Sequence, residues 1–432
     1  MNWESFNAAG ETVPRLSGIA CRSRLDNGLE VCLLKNRQAP IITCALWYGA
    51  GTRDEAPKEG GLAHFLEHMM FKGSSSYGPG EIDRRTQALG GANNAFTSHD
   101  STAYYFNFAR SRWTEALRIE ADRMAGLTLA QEEVERERRV ILEEISMYED
   151  EPWDALEMAV QKSLFEGHAY GTSVLGTRES LARCGGGELA AFHRRLYRPD
   201  NAILVVAGDL PEDADGEVGR FFSHLEAGGR PRQDLPDPPA RPGWRRVERS
   251  AGEVPRLHLA AVAPPADHPD HPLLRLLLTL LTTGRASRLQ HLLVEEEQHC
   301  LWVSGSVTES PVASQLAIAL ELVSGAVPER VERRLMEELR RIAEVAPSAE
   351  EVERAKRVLR ADWVFGQERV HQQALSAGFS LLHFDLDHPR RHLRRSLEAR
   401  PEDLRRVAQT YLQPELGGVV GWSLPKRKGG AS

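Results

Sequence analysis

A short pattern in the middle of the chain returns at its carboxyl-terminal end. Residues 192–199 predict the end of a helix followed by tyrosine and proline, and an apolar strand then leads to a Gly-Asp-Leu-Pro turn at 208–211. Residues 407–414 and 419–425 repeat this order of helix, tyrosine, proline, strand and Leu-Pro. Because a repeated order of elements indicates a duplicated structural unit, we predict two related α+β halves.

The region between the two copies has the composition of a linker. Glycine and proline are frequent from residue 228 to residue 246, and no hydrophobic periodicity is present there. We therefore predict an amino-terminal domain over 1–227, a linker over 228–246 and a homologous carboxyl-terminal domain over 247–432. Each half is expected to be α/β-sandwich-like, with an antiparallel-rich sheet covered by helices.

Hydrophobic periodicity places the main elements of the first half. Two strands at 29–34 and 41–47 are expected to pair through a turn. Further strands are predicted at 102–108 and 203–208, and helices at 81–89, 113–125 and 131–148.

A segment before these helices carries residues suited to bind a metal ion. His64 and His68 are four positions apart, so both imidazoles face one side of a helix. Glu67 stands beside the second histidine, and the order H-x-x-E-H is the inverted form of the zinc protease signature. The flanking residues are apolar, and a buried helix rarely contains two histidines and a glutamate without a partner for them. The segment therefore indicates a metal site.

The helix predicted over 131–148 offers the third ligand that catalytic zinc usually takes. Glu137 and Glu144 both fall on its apolar stripe, where an ionised carboxylate is costly unless it is paired or bound to metal. Glu143 faces the arginine-rich side and is explained as a solvated charge. Periodicity does not choose between Glu137 and Glu144, and pairing of both with arginines elsewhere is the alternative.

Composition excludes several classes of function. The net charge of −8 gives no support for nucleic-acid binding. No apolar run is long enough to span a membrane, and the first residues resemble neither a signal peptide nor a transit peptide. A cytoplasmic location is therefore expected. The five cysteines are scattered and form no C-x-x-C pair, so we expect reduced thiols rather than zinc ligands or disulfides.

Three motifs of the chain occur together in one known family. Residues 61–74 contain the H-x-x-E-H helix, residues 90–104 contain an Asn-Ala-Phe-Thr segment, and residues 137–145 contain the two candidate glutamates. With residues 168–171 and 197–201, these motifs resemble the pitrilysin/insulinase family of zinc peptidases, and most closely its mitochondrial-processing-peptidase-like branch. The resemblance extends over essentially the whole chain.

The resemblance implies a role for each residue of the metal site. His64, His68 and Glu144 are expected to bind one Zn²⁺ per chain, because the family's distal ligand is the later of the two glutamates. Glu137 is expected to support the catalytic centre. Glu67 is expected to be the general base that activates the zinc-bound water. The implied activity is that of a zinc metalloendopeptidase.

The resemblance also implies how a peptide substrate binds. Asn94, Ala95, Phe96 and Thr97 are expected to pair with an extended peptide as an added edge strand. Since backbone pairing does not distinguish side chains, short peptides or unfolded segments of varied sequence are the expected substrates. From the residues alone, Asn93 and Asn94 would instead predict a turn.

The second half departs from the family pattern. Active members present an arginine and a tyrosine that grip the substrate, but Val294 stands at the arginine position and Leu301 or Trp302 at the tyrosine position. We therefore expect this chain to be the zinc-bearing subunit of a heterodimer whose homologous partner supplies the Arg/Tyr pair. A homodimer, with Arg288 or His299 gripping the peptide, is the alternative.

Two other functions are compatible with parts of the sequence. The first is a non-catalytic structural or chaperone-like subunit, as occurs among relatives of processing peptidases, but the intact set of histidines and glutamates argues against it. The second is a metal-dependent hydrolase that does not act on peptides. The Asn-Ala-Phe-Thr segment argues against that possibility.

Overall fold

A computed structural model describes residues 3–6, 11–14, 20–56, 58–228, 234–239, 243–413 and 417–425. The chain divides into two units. Unit 1 consists of Met1–Ile145, Thr172–Leu235 and Val364–Arg390, and unit 2 consists of Ser146–Gly171, Pro236–Trp363 and Arg391–Ser432.

The described strands form one large sheet in each unit and one two-stranded sheet near the amino terminus. They are β1 (Trp3–Phe6), β2 (Glu11–Pro14), β3 (Ala20–Arg24), β4 (Glu30–Lys35), β5 (Ile41–Tyr48), β6 (Ala92–Thr97), β7 (Thr102–Ala109), β8 (Ala202–Gly208), β9 (Trp244–Ser250), β10 (Arg256–Ala263), β11 (Cys300–Val307), β12 (Ser314–Leu322) and β13 (Gly418–Leu424).

The described helices lie between these strands. They are α1 (Leu62–Met69), α2 (Glu81–Ala88), α3 (Thr114–Ala125), α4 (Gln131–Asp150), α5 (Pro152–Leu164), α6 (Arg178–Leu181), α7 (Gly186–Leu196), α8 (Ala214–Phe222), α9 (His271–Thr282), α10 (Arg288–Gln290), α11 (Pro328–Glu344), α12 (Ala349–Gly366), α13 (Val370–His383), α14 (His388–Glu398) and α15 (Pro401–Tyr411). A π-helical turn, His291–Glu296, follows α10. Within the described ranges, no helix is both long enough and apolar enough to cross a membrane.

The sheet of unit 1 has the strand order β3-β4-β8-β5-β7-β6. Strand β8 runs parallel to β4 and antiparallel to β5, and it is buried along its whole length. The predicted pairing of the strands at 29–34 and 41–47 is therefore wrong. An entirely apolar strand is most stable in a central position, and β8 occupies that position between β4 and β5.

Both faces of this sheet are covered. Alternate residues of β5 point in opposite directions, so Ile42, Cys44 and Leu46 pack into the core that contains α1 and α3. Ala45 and Trp47 pack on the other face against apolar residues of α13. The burial of both sets explains why β5 is apolar at nearly every position.

The sheet of unit 2 repeats this arrangement. Its order is β11-β12-β10-β13-β9, with β13 parallel to β9 and antiparallel to β10, as β8 is to β4 and β5. The prediction of two related α+β halves is confirmed. Helix α9 follows β10 as α1 follows β5, but it is rich in leucine and lacks the H-x-x-E-H motif. Within the repeated pattern, Pro414 lies outside the described residues.

The units do not coincide with the two halves of the sequence. Segment 146–171, which contains α5, belongs to unit 2, where Leu156 and Val160 pack against β13 at Gly421. Segment 364–390, which contains α13, belongs to unit 1. The chain passes from unit 1 to unit 2 at Leu235 and Pro236, inside the predicted linker. Residues 229–233 and 240–242 of that linker lie outside the described residues.

The cysteine thiols are free, and all except that of Cys21 are buried. Burial raises the pKa of the thiols of Cys32 and Cys184 to about 11. Because the thiolate is the reactive form, these residues serve as small apolar side chains in the core.

Candidate metal centre

The helix with the H-x-x-E-H motif begins at a glycine that has little room for a side chain. Gly61 has a left-handed φ of 87°, and a Cβ on it would lie 2.6 Å from the carbonyl oxygen of Leu175. The Glu55 carboxylate accepts hydrogen bonds from the backbone N–H groups of Gly61 and Ala63, at 3.0 and 2.8 Å. These bonds satisfy free N–H groups at the start of α1 and fix the backbone immediately before His64.

Helices α1 and α4 bring the three predicted ligands together. The Oε2 atom of Glu144 lies 3.8 Å from Nε2 of His64 and 3.7 Å from Nε2 of His68. The potential ligand atoms of these residues all lie within 4.8 Å of one another. Over the part of the chain that the structure describes, this is the one such group of histidine, cysteine and acidic residues. Glu143 is exposed and does not belong to it.

The chemistry of this group fits a metal ion. The separations of 3.7 and 3.8 Å are too long for hydrogen bonds, so the potential metal-ligand atoms lie close together without bonding to one another. Burial, together with the charge of His68, lowers the pKa of His64 to about 3 and keeps its imidazole neutral, as metal binding requires. Burial also raises the pKa of Glu144. Two imidazoles and a carboxylate form a common catalytic zinc set that leaves one position open.

Glu137 lies behind His68. Its Oε1 atom is 2.9 Å from Nδ1 of His68, and its Oε2 atom is 2.8 Å from Nζ of Lys72. Burial raises the pKa of Glu137, but the hydrogen bonds from His68 and Lys72 outweigh burial and hold it below its usual value. With Nδ1 donating to Glu137, His68 presents Nε2 toward Glu144. The sequence interpretation missed Lys72 because it lies beyond the end of α1, where helical spacing no longer applies.

Replacing Glu137 with glutamine is expected to weaken zinc binding about 10- to 100-fold, the usual effect of losing an outer carboxylate. The amide is a poorer acceptor for His68 and leaves the Lys72 ammonium without its counter-charge. Competition with a chromogenic chelator measures the affinity. Glu132→Gln, which alters an exposed glutamate of the same helix paired with Arg136, is the control. Equal affinity in both variants would contradict the supporting role.

Glu67 is held by a residue of a neighbouring strand. The Thr97 hydroxyl donates a hydrogen bond of 2.6 Å to Oε2 of Glu67. Burial raises the pKa of Glu67, and the bond from Thr97 acts in the opposite direction. The contact joins α1 to β6 and depends on how the sheet is assembled, so no local sequence pattern predicts it.

The four predicted substrate-binding residues lie on β6, the outermost strand of the unit 1 sheet. Asn94 is therefore part of a strand rather than a turn. The Ala95 N–H donates to Oδ1 of Asn94 at 2.9 Å, and so it points away from the ladder with β7. Phe96 is 38% exposed and packs edge-on against Trp47, on the face opposite Thr97.

Unit 2 contains the positions that correspond to the family's Arg/Tyr pair. Val294 lies in the π-helical turn after α10, and Leu301 is exposed on β11. Arg288 forms ion pairs with Glu338 at 3.0 Å and with Glu351 at 2.6 Å. Its guanidinium is therefore already occupied within unit 2.

Proteins of similar sequence include two that are named as uncharacterized zinc proteases. YmxG of Bacillus subtilis is 35% identical over 209 residues, which make up 48% of this chain and 51% of YmxG. This chain thus matches about half the length of YmxG. Rv2782c of Mycobacterium tuberculosis is 29% identical over 408 residues, 92% of each chain.

Solved structures with the same fold include a protease from Helicobacter pylori, with a TM-score of 0.88 and 23% identity, over 95% of this chain and 100% of that one. A putative M16-like peptidase from Alicyclobacillus acidocaldarius has a TM-score of 0.84 and 21% identity, over 94% and 98% of the two chains. At such identities the likeness concerns the fold alone.

Two family models match successive parts of the chain. The model for insulinase, peptidase family M16, matches residues 30–178, and the model for the peptidase M16 inactive domain matches residues 186–359. The assignment to the mitochondrial-processing-peptidase-like branch stays a prediction. The geometry at α1 and α4, the zinc-protease relatives and the two models agree, and the chain belongs to peptidase family M16, the insulinase family of metallopeptidases.

Proposed function

We propose that this chain is a zinc-dependent peptidase that hydrolyses short peptides or unfolded segments. The observation that carries the proposal is the convergence of potential ligand atoms from His64, His68 and Glu144 within 4.8 Å. Glu67 lies on α1, the helix that carries both histidines. Membership of family M16 supports zinc as the metal.

Glu67 is the general base in this proposal. His64, His68 and Glu144 would hold the zinc ion, which would lower the pKa of a bound water and polarise the scissile carbonyl. Glu67 accepts a proton from the attacking water and returns it to the leaving amine, a role that contributes about 10²–10⁴-fold to the rate. Glu137 keeps the His68 ring in place through its hydrogen bond to Nδ1.

The open edge of β6 is the proposed binding site for the peptide backbone. Asn94, Ala95, Phe96 and Thr97 would form the ladder with an added strand. In the free chain the Asn94 side chain satisfies the Ala95 N–H. We propose that this side chain rotates away when a peptide carbonyl takes its place, so one local hydrogen bond is exchanged for one with the substrate.

Metal analysis combined with a peptide assay tests the proposed function. The purified chain is expected to hold about one zinc ion, because the site takes three protein ligands and leaves one position for water. Hydrolysis of quenched fluorescent peptides is expected to stop when a chelator removes the metal and to return when zinc is added. Stoichiometric zinc without hydrolysis, alone or with any partner, would favour a non-catalytic subunit.

We also propose that the chain reaches full activity only with a homologous partner that supplies an arginine and a tyrosine. Two features support this: Val294 occupies the expected arginine position, and Arg288 is engaged by Glu338 and Glu351. The chain alone is expected to cleave peptides slowly. Adding the partner is expected to raise the rate, with a matching increase in mass by light scattering.

The homodimer is the alternative to this assembly. Full activity from a monomer, or from a homodimer that no partner stimulates, would contradict the need for an Arg/Tyr donor. His299→Ala then becomes informative, because loss of activity in a homodimer would assign substrate binding to that residue. His291→Ala makes the same chemical change at an exposed position of the π-helical turn and is the matched control.

A further inference from the structure

One oxygen of the Glu67 carboxylate accepts a hydrogen bond from a neighbouring strand. Its Oε2 atom accepts the Thr97 hydroxyl at 2.6 Å, and no hydrogen bond to Oε1 is found among the described residues. A threonine hydroxyl carries a single proton. While that proton is donated to Glu67, the Thr97 side chain has none to offer a substrate.

The Thr97 side chain packs against a cross-strand neighbour. Thr97 and Thr102 are directly opposite each other in the β6–β7 ladder, and their hydroxyl oxygens lie 3.3 Å apart. Thr102 is fully buried and its hydroxyl donates to the carbonyl oxygen of Ala50 at 2.9 Å. Both hydroxyl protons are therefore donated elsewhere, and the two oxygens are in contact without a hydrogen bond between them. The strand register and the bond to Glu67 together set the position of the Thr97 hydroxyl.

Two buried tyrosines continue this set of hydroxyl groups into the core. Tyr104 follows Thr102 by two residues on β7, and its hydroxyl lies 3.2 Å from the hydroxyl of Tyr197. Tyr197 also stacks on Tyr48, with ring centroids 4.3 Å apart. Glu67 is thus linked through Thr97 to packed side chains rather than to a mobile loop.

We propose that Thr97 is a positioning residue for Glu67, and this proposal rests on the proposed function. By holding Oε2, Thr97 leaves Oε1 as the oxygen that takes the proton from water and gives it to the leaving amine. The bond to Oε2 persists in both protonation states, because the carbonyl oxygen of a carboxylic acid is also an acceptor. The contribution of Thr97 to substrate binding is then confined to its backbone.

The test compares Thr97→Val, Thr97→Ala and Thr97→Ser with wild type, each as the full chain in its active form. Valine keeps the shape and strand preference of threonine but removes the hydroxyl, alanine removes it without adding bulk, and serine restores it. Thr86→Val is the control, because the Thr86 hydroxyl is buried and has no hydrogen-bond partner in the described chain. The measurements are kcat, KM, bound zinc and the affinity of a peptide for the metal-free protein.

Loss of a hydrogen bond to a charged group is expected to lower kcat about 10- to 100-fold in Thr97→Val and Thr97→Ala. Bound zinc, KM and peptide affinity are expected to stay within about twofold of wild type, and Thr97→Ser is expected to recover most of kcat. Thr86→Val should behave as wild type.

Three results would overturn the inference: unchanged kcat and KM in Thr97→Val, a raised KM with unchanged kcat, or no recovery with serine. The second would show that the hydroxyl binds substrate. Measurement of Glu67→Gln in parallel distinguishes failure of the positioning role from failure of the proposed function. If that variant is inactive while Thr97→Val is normal, only the positioning role is wrong, whereas an active Glu67→Gln would remove the general base itself.

Discussion

Replacing Glu67 with glutamine is expected to abolish detectable peptide hydrolysis while the chain keeps its zinc. Glutamine has nearly the same size and still accepts the Thr97 hydroxyl, but it cannot take a proton from water. Removing a general base costs about 10²–10⁴-fold in rate. Zinc is expected to remain, because the ligand atoms belong to His64, His68 and Glu144. Metal content by atomic absorption and hydrolysis of a quenched peptide give the two quantities.

His64→Ala is the informative comparison for this variant, since it is expected to lose both zinc and activity. The same pair of measurements then separates a residue that binds metal from one that transfers a proton. If Glu67→Gln lost zinc as completely as His64→Ala, the two roles assigned on α1 would be wrong.

Replacing Glu144 with glutamine is expected to strip zinc from the site and with it the activity. The Glu144 carboxylate is the one acidic member of the group, at 3.7 and 3.8 Å from the two imidazoles. A neutral amide is a much weaker ligand for zinc than a carboxylate. Glu143→Gln makes the same chemical change one residue earlier, at an exposed position, and is expected to leave zinc and activity near wild type.

The two adjacent glutamates make this a test of helix geometry. Titration of each apo-protein with zinc against a competing chelator gives the affinities, and the thermal unfolding midpoint shows whether the fold is intact. Equal loss of zinc from both variants would mean that the metal is held by a different set of residues from the one that α1 and α4 bring together.

The two helices that carry the metal ligands could be predicted from sequence, because residue spacing within each helix is enough to identify them. The spacing of His64 and His68 places both on one face of α1, and the apolar stripe of α4 selects Glu137 and Glu144 over Glu143. Periodicity alone does not show which of Glu137 and Glu144 binds the metal. Their different roles depend on neighbours that only the folded chain supplies, namely Lys72 beside Glu137 and the two imidazoles beside Glu144.

The parts that sequence reasoning missed all depend on long-range assembly. Strand β8 comes from more than 150 residues later in the chain and lies between β4 and β5, whereas a local pattern favours pairing consecutive strands. The bond between Thr97 and Glu67 likewise requires β6 to lie beside α1. The apolar alternation of these strands is satisfied equally well by several strand orders, so it leaves their order open.

The exchange of α5 and α13 bears on how such a chain could have arisen. In each half of the sequence, one helix covers the sheet of the unit formed mainly by the other half. A chain with one copy of the repeat would have had a bare sheet face and a helix with nothing of its own to cover. Two such chains could satisfy each other by exchanging that helix, as domain-swapped dimers do. Fusion of a swapped homodimer leads directly to the present topology, and it lets one copy keep the metal ligands while the other is free to lose them.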